Sequence, residues 1–504
     1  MSKVQPDGCG GKGATAAPLH ALVVAQAFPP LLKNAGGVAK RYLALCSALI
    51  DGLGWRVTLV TPVDVTASGE KDVDRWLQSG SLTHVPVRAL KVTTDDGEAC
   101  TLDILSLRNM CTFLSLMRGK CDACFTDDIP FRLVAFLLAR GMGVPTVTTT
   151  HTDATRLKSY KGCAMKLAWR MHVGSAHYAT VHASVSRVFA DIMHSSYRVP
   201  VQAVWPPMLW SDTFRRPPCE YAERAATLRA SWLSQLGVEP RAVLLYAGRW
   251  SAEKRIHLLV EALPETCALV LVGDSTSDYA DHVEGLRGPN VLPLRRTLHA
   301  EELRCAYAAA DLFVSASDFE TLGNVVVESF CAGTPVAVQP AQGHLEFVED
   351  GKNSYFVDFG DAETARKRLR AIVDAGVRTG IEPALTDLGT RLRTLDFPRE
   401  LEAALVAPAL GATKARRRSC CRRALVEPAL RSYYLTVWLI LWTWVGIFTR
   451  IFYLLSCRPR FRYLPKAGGC VEADLENQHR PERQVSPSRR AKEAWAEPAE
   501  PEIR

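Results

Sequence analysis

Two carboxylates, Glu320 and Glu328, stand eight positions apart in the run SDFETLGNVVVESFCAGTPVAVQ, residues 317–339. A polar, Gly-containing turn separates them, and an apolar helix begins in that turn. With the helix starting near Gly323, Glu320 lies in the loop facing its amino end and Glu328 about one and a half turns inside it. The two need not share a helical face to hold two parts of one ligand. The amides of Thr321, Leu322 and Gly323 sit where the positive end of a helix favours negative charge or sugar hydroxyls. That makes a ready site for a sugar nucleotide, although an amphipathic helix with a solvated Glu carries the same spacing. Upstream, in GRWSAEK, Arg249 at a strand end and Lys254 at a helix start can converge on one point. Two surface cations would look the same in isolation.

Alternating elements must position these residues. Residues 19–25 (LHALVVA) read as a strand, followed by a turn at Gly36 and Gly37 and a helix marked by Tyr42, Leu45 and Leu49. Lys40 and Arg41, just after the Gly turn, suit either an anionic donor or a solvated face. Strand, Gly turn and helix open a Rossmann-like unit. Residues 55–61 read as a second strand and 83–101 as irregular or hairpin structure. Residues 121–126, a helix near 131–140 and a strand over 145–150 form a further unit. It ends in His151-Thr152-Asp153, at the carboxyl end of a parallel strand, where open α/β sheets place their ligands. Residues 157–179 read as a basic helix, with Lys158, Lys161, Lys166 and Arg170 suited to anionic lipid or to a solvated face. After a Pro-rich connection, strands over 242–247, 267–273 and 312–315 alternate with helices. Such alternation gives a parallel sheet with right-handed crossovers. The expected fold class is α/β, with two Rossmann-like domains facing across a cleft.

The wording ETLG, VVVE, AGTPV and GHLEFVEDGKN, over residues 320–353, resembles the E-x7-E signature of the family 4 retaining glycosyltransferases, which have the GT-B fold. Within that family it most resembles the sulfoquinovosyltransferases, the sulfolipid synthases of plants and bacteria. The resemblance covers residues 19–400 and implies a role for each candidate. Glu320 contacts the donor sugar, and Glu328 holds the ribose, since one carboxylate accepts from two vicinal hydroxyls. Gly36 and Gly37 take the place of the loop that meets the donor diphosphate across the cleft. Arg249 and Lys254 grip that diphosphate, two fixed cations replacing the metal other transferases need. Gly273 stands where the family has a Gly near the nucleotide, but Ser275-Thr276 replace the usual Gly-Pro that follows. His151 matches a family His, with Asp153 departing from the family's Thr-His continuation; it is the candidate for contact with the sugar near the reacting centre. A loop histidine satisfied by backbone is the alternative there. The tripeptide DVD at 72–74 lies in a polar segment entering a helix, which suits a solvated surface better than a metal site.

The resemblance implies no cofactor and no metal, with a nucleotide sugar, UDP-linked, as substrate and a lipid such as diacylglycerol as acceptor. Transfer of sulfoquinovose to diacylglycerol leads. Beside it stand α-mannosyl or α-glucosyl transfer to a glycolipid or lipid-linked oligosaccharide, and a membrane-tethered protein that binds sugar nucleotides without catalysis.

A chain of 504 residues, 48% hydrophobic, builds two or three domains. The net charge of +8 is concentrated late, in KARRRSCCRR (414–423) and RPRFRY (458–463). These runs border an apolar segment, so an anionic membrane surface fits them better than nucleic acid. Fifteen Cys without a paired framework suit reduced thiols in a cytosol-like compartment. The lone Cys121-x-x-Cys124 lacks a second pair for zinc. Residues 1–20 are Gly- and Ala-rich with no apolar h-region and no Arg-rich amphipathic helix, which argues against secretion and weakens the plastid membrane that a sulfolipid synthase would otherwise suggest. Residues 432–449 carry no charge, include Trp438, Trp442 and Trp444, and lie between Arg431 and Arg450. As a helix they are about 27 Å long against a hydrocarbon core of about 30 Å. An in-plane anchor and a buried helix are the alternatives. The expected layout is a flexible tail (1–18), an acceptor-side domain (19–207), a nucleotide-sugar domain (208–400), a basic crossover (401–431), a C-terminal hydrophobic membrane helix (432–456) and a disordered tail (457–504).

Overall fold

Runs that are apolar at every position, such as AVLLYA at 242–247 and CALVLVG at 267–273, have no polar face to offer water and must be covered on both sides. In the computed structural model both are strands buried at every residue. The structure describes residues 17–26, 36–62, 65, 70–94, 97–102, 106–118, 121–127, 132–152, 163–206, 212–273, 278–418 and 462–463.

The amino-terminal half holds β1 (His20–Val24), β2 (Arg56–Thr61), β3 (Leu82–Pro86), β4 (Ala89–Thr94), β5 (Gly97–Leu102), β6 (Ala123–Thr126), β7 (Thr146–Thr150), β8 (Val181–Ser184) and β9 (Ala203–Val204). Seven of these form a parallel sheet in the order β3-β2-β1-β6-β7-β8-β9. The segment expected to be irregular or hairpin completes β3 and then folds into the antiparallel hairpin β4–β5. The carboxyl-terminal half holds β10 (Ala242–Ala247), β11 (Cys267–Gly273), β12 (Val291–Arg295), β13 (Leu312–Ser315), β14 (Val336–Val338) and β15 (Tyr355–Phe356). They are parallel in the order β12-β11-β10-β13-β14-β15. Each sheet reverses its winding direction once, between β1 and β6 and between β10 and β13, and ligands of open α/β sheets bind at such reversals.

Apolar packing joins the halves. One cluster runs from Trp169, Phe189 and Met193 of the first half through Phe214 to Val243, Tyr307 and Phe330 of the second. The chain then returns: a continuous helical stretch built of Phe397–Leu401, Glu402–Val406 and Ala407–Arg418 buries Leu401, Leu405, Val406 and Ala409 in the core beside β1 and β2. In the basic segment expected to be helical, the described part is the helix Cys163–Gly174 and a 3-10 turn, Ser175–Tyr178. The tripeptide at 72–74 lies on the helix Lys71–Ser79, with the largely exposed Asp72 paired to Arg75. Among the described residues no helix is long and apolar enough to cross a membrane. The expected membrane helix at 432–456 lies outside them.

Candidate functional site

The loops after β10 and β13 face each other at the reversal of the second sheet. After β10 the chain turns through Gly248, and the buried Tyr246 hydroxyl donates to the Arg249 carbonyl at 2.8 Å. Burial, then the nearby Glu320 charge, pushes that phenol far above its ordinary pKa, so it stays a donor. Gly273 ends β11 with φ at +147°, and a Cβ there would lie 1.8 Å from the Gly248 carbonyl oxygen. Its place against the turn after β10 is therefore set by backbone packing.

Lys254 closes the 3-10 turn Ala252–Lys254, and its Nζ donates to Glu320 Oε1 at 2.5 Å. Both side chains are largely buried, at 20% and 16% exposure. Burial, the largest single influence, would raise the Glu320 pKa; the Lys254 charge, His344 and the hydrogen bonds from Lys254 and Ser317 together outweigh it and hold the carboxylate below its usual range. Arg249 does not join this pair. Its guanidinium is half exposed and reaches Glu253 at 3.2 Å. The two cations read from the sequence as able to converge thus pair with different carboxylates, Lys254 with Glu320 and Arg249 with Glu253.

Beyond Glu320, the loop passes Thr321 and the buried Leu322 to Gly323, whose φ of +79° starts the helix Asn324–Cys331. A second loop supports this turn from below. Gly343 N donates to the Glu320 carbonyl, and a Cβ on Gly343 would meet the Leu322 backbone at 2.6 Å. His344 follows, fully buried, with Nδ1 donating to the Gln339 carbonyl at 2.8 Å. That bond leaves Nε2 as an acceptor without a partner. Burial holds this imidazole below its ordinary pKa against the pull of Glu320. Glu328 is 3% exposed and accepts from the Tyr307 hydroxyl at 3.0 Å. Lys40 of the first half lies 3.8 Å from its other oxygen.

The first half meets this loop directly. Thr321 donates its hydroxyl to the His151 carbonyl at 2.7 Å, and Ser186 donates to the Thr321 carbonyl at 2.7 Å. Glu346 accepts from the backbone of Arg187 at 3.0 Å, at the start of the helix Arg187–Tyr197, where a carboxylate complements the helix dipole. His151 therefore sits against the Glu320 loop, joined through its backbone, with its ring half-buried and its Nδ1 3.3 Å from the Thr152 hydroxyl. Gly36 and Gly37 are the first residues of the helix Gly36–Ser47; residues 27–35 lie outside the described residues. Arg41 takes neither the donor-facing nor the solvated role expected of it. It is 4% exposed, paired with Asp127 at 2.6 Å and stacked over Trp205.

Sequence reasoning missed Tyr307, Gly343 and His344 as members of the site. The Gly-His pair was visible in the run GHLEFVEDGKN, but nothing in its spacing shows that it lies under Glu320. Tyr307 reads only as one more apolar position of the helix Ala300–Ala309.

Residues 36–207 match the family model described as glycosyl transferase 4-like domain, and residues 241–374 the one described as glycosyl transferases group 1. The lipopolysaccharide core biosynthesis glycosyltransferase LpsE of Rhizobium meliloti is 34% identical over 163 residues, covering 31% of this chain and 46% of that protein. The sulfoquinovosyl transferase SQD2 of Arabidopsis thaliana is 32% identical over 143 residues, 27% of this chain and 28% of its own length. The chain thus spans less than half of either relative. A GDP-mannose-dependent alpha-mannosyltransferase of Mycolicibacterium smegmatis aligns more broadly, at 25% identity over 69% of this chain and 86% of that one. In fold, the crystal structure of HepE from Anabaena in complex with UDP superposes with a TM-score of 0.54 at 16% identity, covering 79% of this chain and all of that one.

Proposed function

We propose that this GT-B glycosyltransferase moves a hexosyl group from a nucleoside diphosphate to a lipid acceptor, with retention and without a metal. The juxtaposition of Lys254, Glu320 and Glu328 at the β10/β13 reversal carries this reading. Lys254 supplies a fixed cation for the departing diphosphate, and Arg249, on the same turn, is a second once it leaves Glu253. Glu328, buried and oriented by Tyr307, accepts from the ribose hydroxyls. Glu320 and His151 face the sugar from the two sides of the contact at Thr321. Gly36, Gly37 and Gly273 let backbone approach the donor. The sugar is attacked on the face from which the diphosphate leaves, so the cations that stabilise the leaving group also act beside the incoming hydroxyl.

The leading donor is UDP-sulfoquinovose and the acceptor diacylglycerol, supported by the motif wording and the likeness to SQD2. Transfer of mannose from a GDP donor is the second reading, favoured by the breadth of the mannosyltransferase alignment. The basic runs at 414–423 and 458–463 would hold the protein to an anionic membrane, on a cytosol-like face.

A lipid-product assay tests this. Detergent-solubilised protein is mixed with diacylglycerol vesicles and, in turn, UDP-sulfoquinovose, UDP-glucose and GDP-mannose, with EDTA present. Product from the sulfonated donor alone is the expected result. Transfer from another donor keeps the chemistry and replaces the sugar, and nucleotide binding without transfer to any lipid overturns the catalytic reading.

A further inference from the structure

Two non-glycine residues among those described have positive φ, Arg198 and Arg255. Arg198, at φ 55°, closes the helix Arg187–Tyr197, where a left-handed residue is ordinary. Arg255 is shared by two elements. With φ 52° and ψ 38° it closes the 3-10 turn Ala252–Lys254, its backbone N–H donating to the Ala252 carbonyl at 3.2 Å, and at the same residue opens the helix Ile256–Glu261, where extended backbone is the rule and its side chain makes no capping bond. A left-handed arginine is strained, because its Cβ crowds the following carbonyl, and glycine would be free of that strain. Strain of this kind persists where surrounding contacts over-determine it, and it clusters at functional sites.

Asp318 faces this arginine across the site. Arg255 directly follows Lys254, and its Nη1 lies 3.3 Å from the Asp318 carboxylate, with its own side chain only 20% exposed. Asp318 is two residues before Glu320 on the loop after β13. Consecutive cations of one turn thus reach alternate carboxylates of the facing loop, Lys254 to Glu320 and Arg255 to Asp318. Arg255 also helps to hold the Asp358 carboxyl below its usual range, after the larger contributions of the Gly360 amide and the Gln339 side chain. Asp358 follows β15, so the guanidinium sits between two loops at the carboxyl edge of the sheet. A planar, permanently charged fork suits that place better than an ammonium.

We propose that Arg255 is a positioning residue of the donor site. It clamps the loop 317–323 through Asp318 while Lys254 exchanges Glu320 for the diphosphate of the donor. This rests on the reading of Lys254 as the diphosphate ligand. Shared with a phosphate, the Lys254 ammonium holds Glu320 less firmly, and a second tie then keeps Glu320 facing the sugar. Asp318 is 60% exposed, so the tie adds little to stability. Its effect is on the geometry in which Glu320 meets the substrate, where a small misplacement lowers turnover steeply.

The full chain carrying Arg255→Gly, Arg255→Lys or Asp318→Asn tests this through three readouts: thermal midpoint, UDP and GDP affinity by calorimetry, and kcat and KM with whichever donor the wild type uses. Arg255→Gly relieves the strained backbone as it removes the clamp. Its midpoint should be unchanged or higher and its nucleotide affinity within about threefold of wild type, while kcat falls by about tenfold or more. Arg255→Lys should recover part of kcat. Asp318→Asn should match Arg255→Gly, with the double variant no worse than either. Wild-type turnover in Arg255→Gly would overturn the inference and leave the donor-site reading intact. A parallel loss of midpoint, affinity and kcat would overturn it in favour of a purely structural role. A wild type that binds no nucleotide and transfers no sugar would remove the donor-site reading and this inference with it.

Discussion

Lys254 and Glu320 each set the electrostatic state of the other. Lys254→Ala removes a charge that favours the ionised form of Glu320 in a largely buried position and, on the proposed role, a cation beside the leaving group. Turnover should fall by about 10²- to 10³-fold with circular dichroism unchanged, a result that steady-state assay of the folded variant decides. Glu328 shows the same logic for binding. Glu328→Ala should weaken nucleotide affinity by roughly tenfold or more, and Tyr307→Phe, which removes only the orienting bond, by less. Calorimetric titration with UDP checks both, and unchanged affinity in Glu328→Ala would count against the ribose role. Acid acts on two groups in the same direction. His344 and Glu320 both have folded pKa values below their unfolded ones. Each binds fewer protons in the native state, so stability rises with pH through their range. The His344 contribution is complete above the ordinary imidazole value, about 6.5, and is lost as pH falls through its lower folded value. Glu320 follows the same course at more acidic pH. Urea midpoints should therefore decline on acidification below neutrality, and His344→Gln should flatten the first part of that decline.

At the level of elements, the fold depends on glycines for two separable reasons. Gly54 has φ +67° with nothing within 4 Å of where a side-chain carbon would sit, whereas Gly273 has φ +147° and would drive that carbon into the Gly248 carbonyl. Gly54→Ala should cost about 1 kcal/mol from backbone strain alone. Gly273→Ala should cost about 3 kcal/mol or more, because a carbonyl of the neighbouring turn must also move. Equal urea midpoints for the two variants would contradict the account of Gly273 as a close approach between β11 and the turn after β10.

Across the whole molecule the chain visits the amino-terminal half twice. Leu405 lies near the end of the described chain, yet it is 1% exposed in the core beside β1 and β2. Leu405→Ala should destabilise that half by about 2–5 kcal/mol, read as a lower unfolding midpoint relieved little by nucleotide bound to the other half. The chain is described again at Arg462–Tyr463, paired with β4 of the same half. Positions 418 and 462 are then held on one side of any membrane the protein binds. Protease added outside sealed vesicles carrying the protein should reach both, and protection of only one would contradict the β4 pairing.

Buried strands such as 242–247 and 267–273 were legible in the sequence because uninterrupted apolar runs between turn residues leave few alternatives to a covered parallel sheet. Glu320, Glu328, Arg249 and Lys254 stood out as candidates for the same kind of reason, because residue type and spacing within one loop and one helix are local properties. Local pattern could not decide how separate loops meet. That Lys254 takes Glu320 while Arg249 takes Glu253, that Gly343 and His344 lie under the Glu320 turn, and that Arg41 is a buried partner of Asp127 all depend on strand order and on side chains far apart in the chain. The return of Leu405 to the first core has the same cause. Periodicity marks which face of a helix is apolar; the tertiary structure alone chooses the surface that covers it.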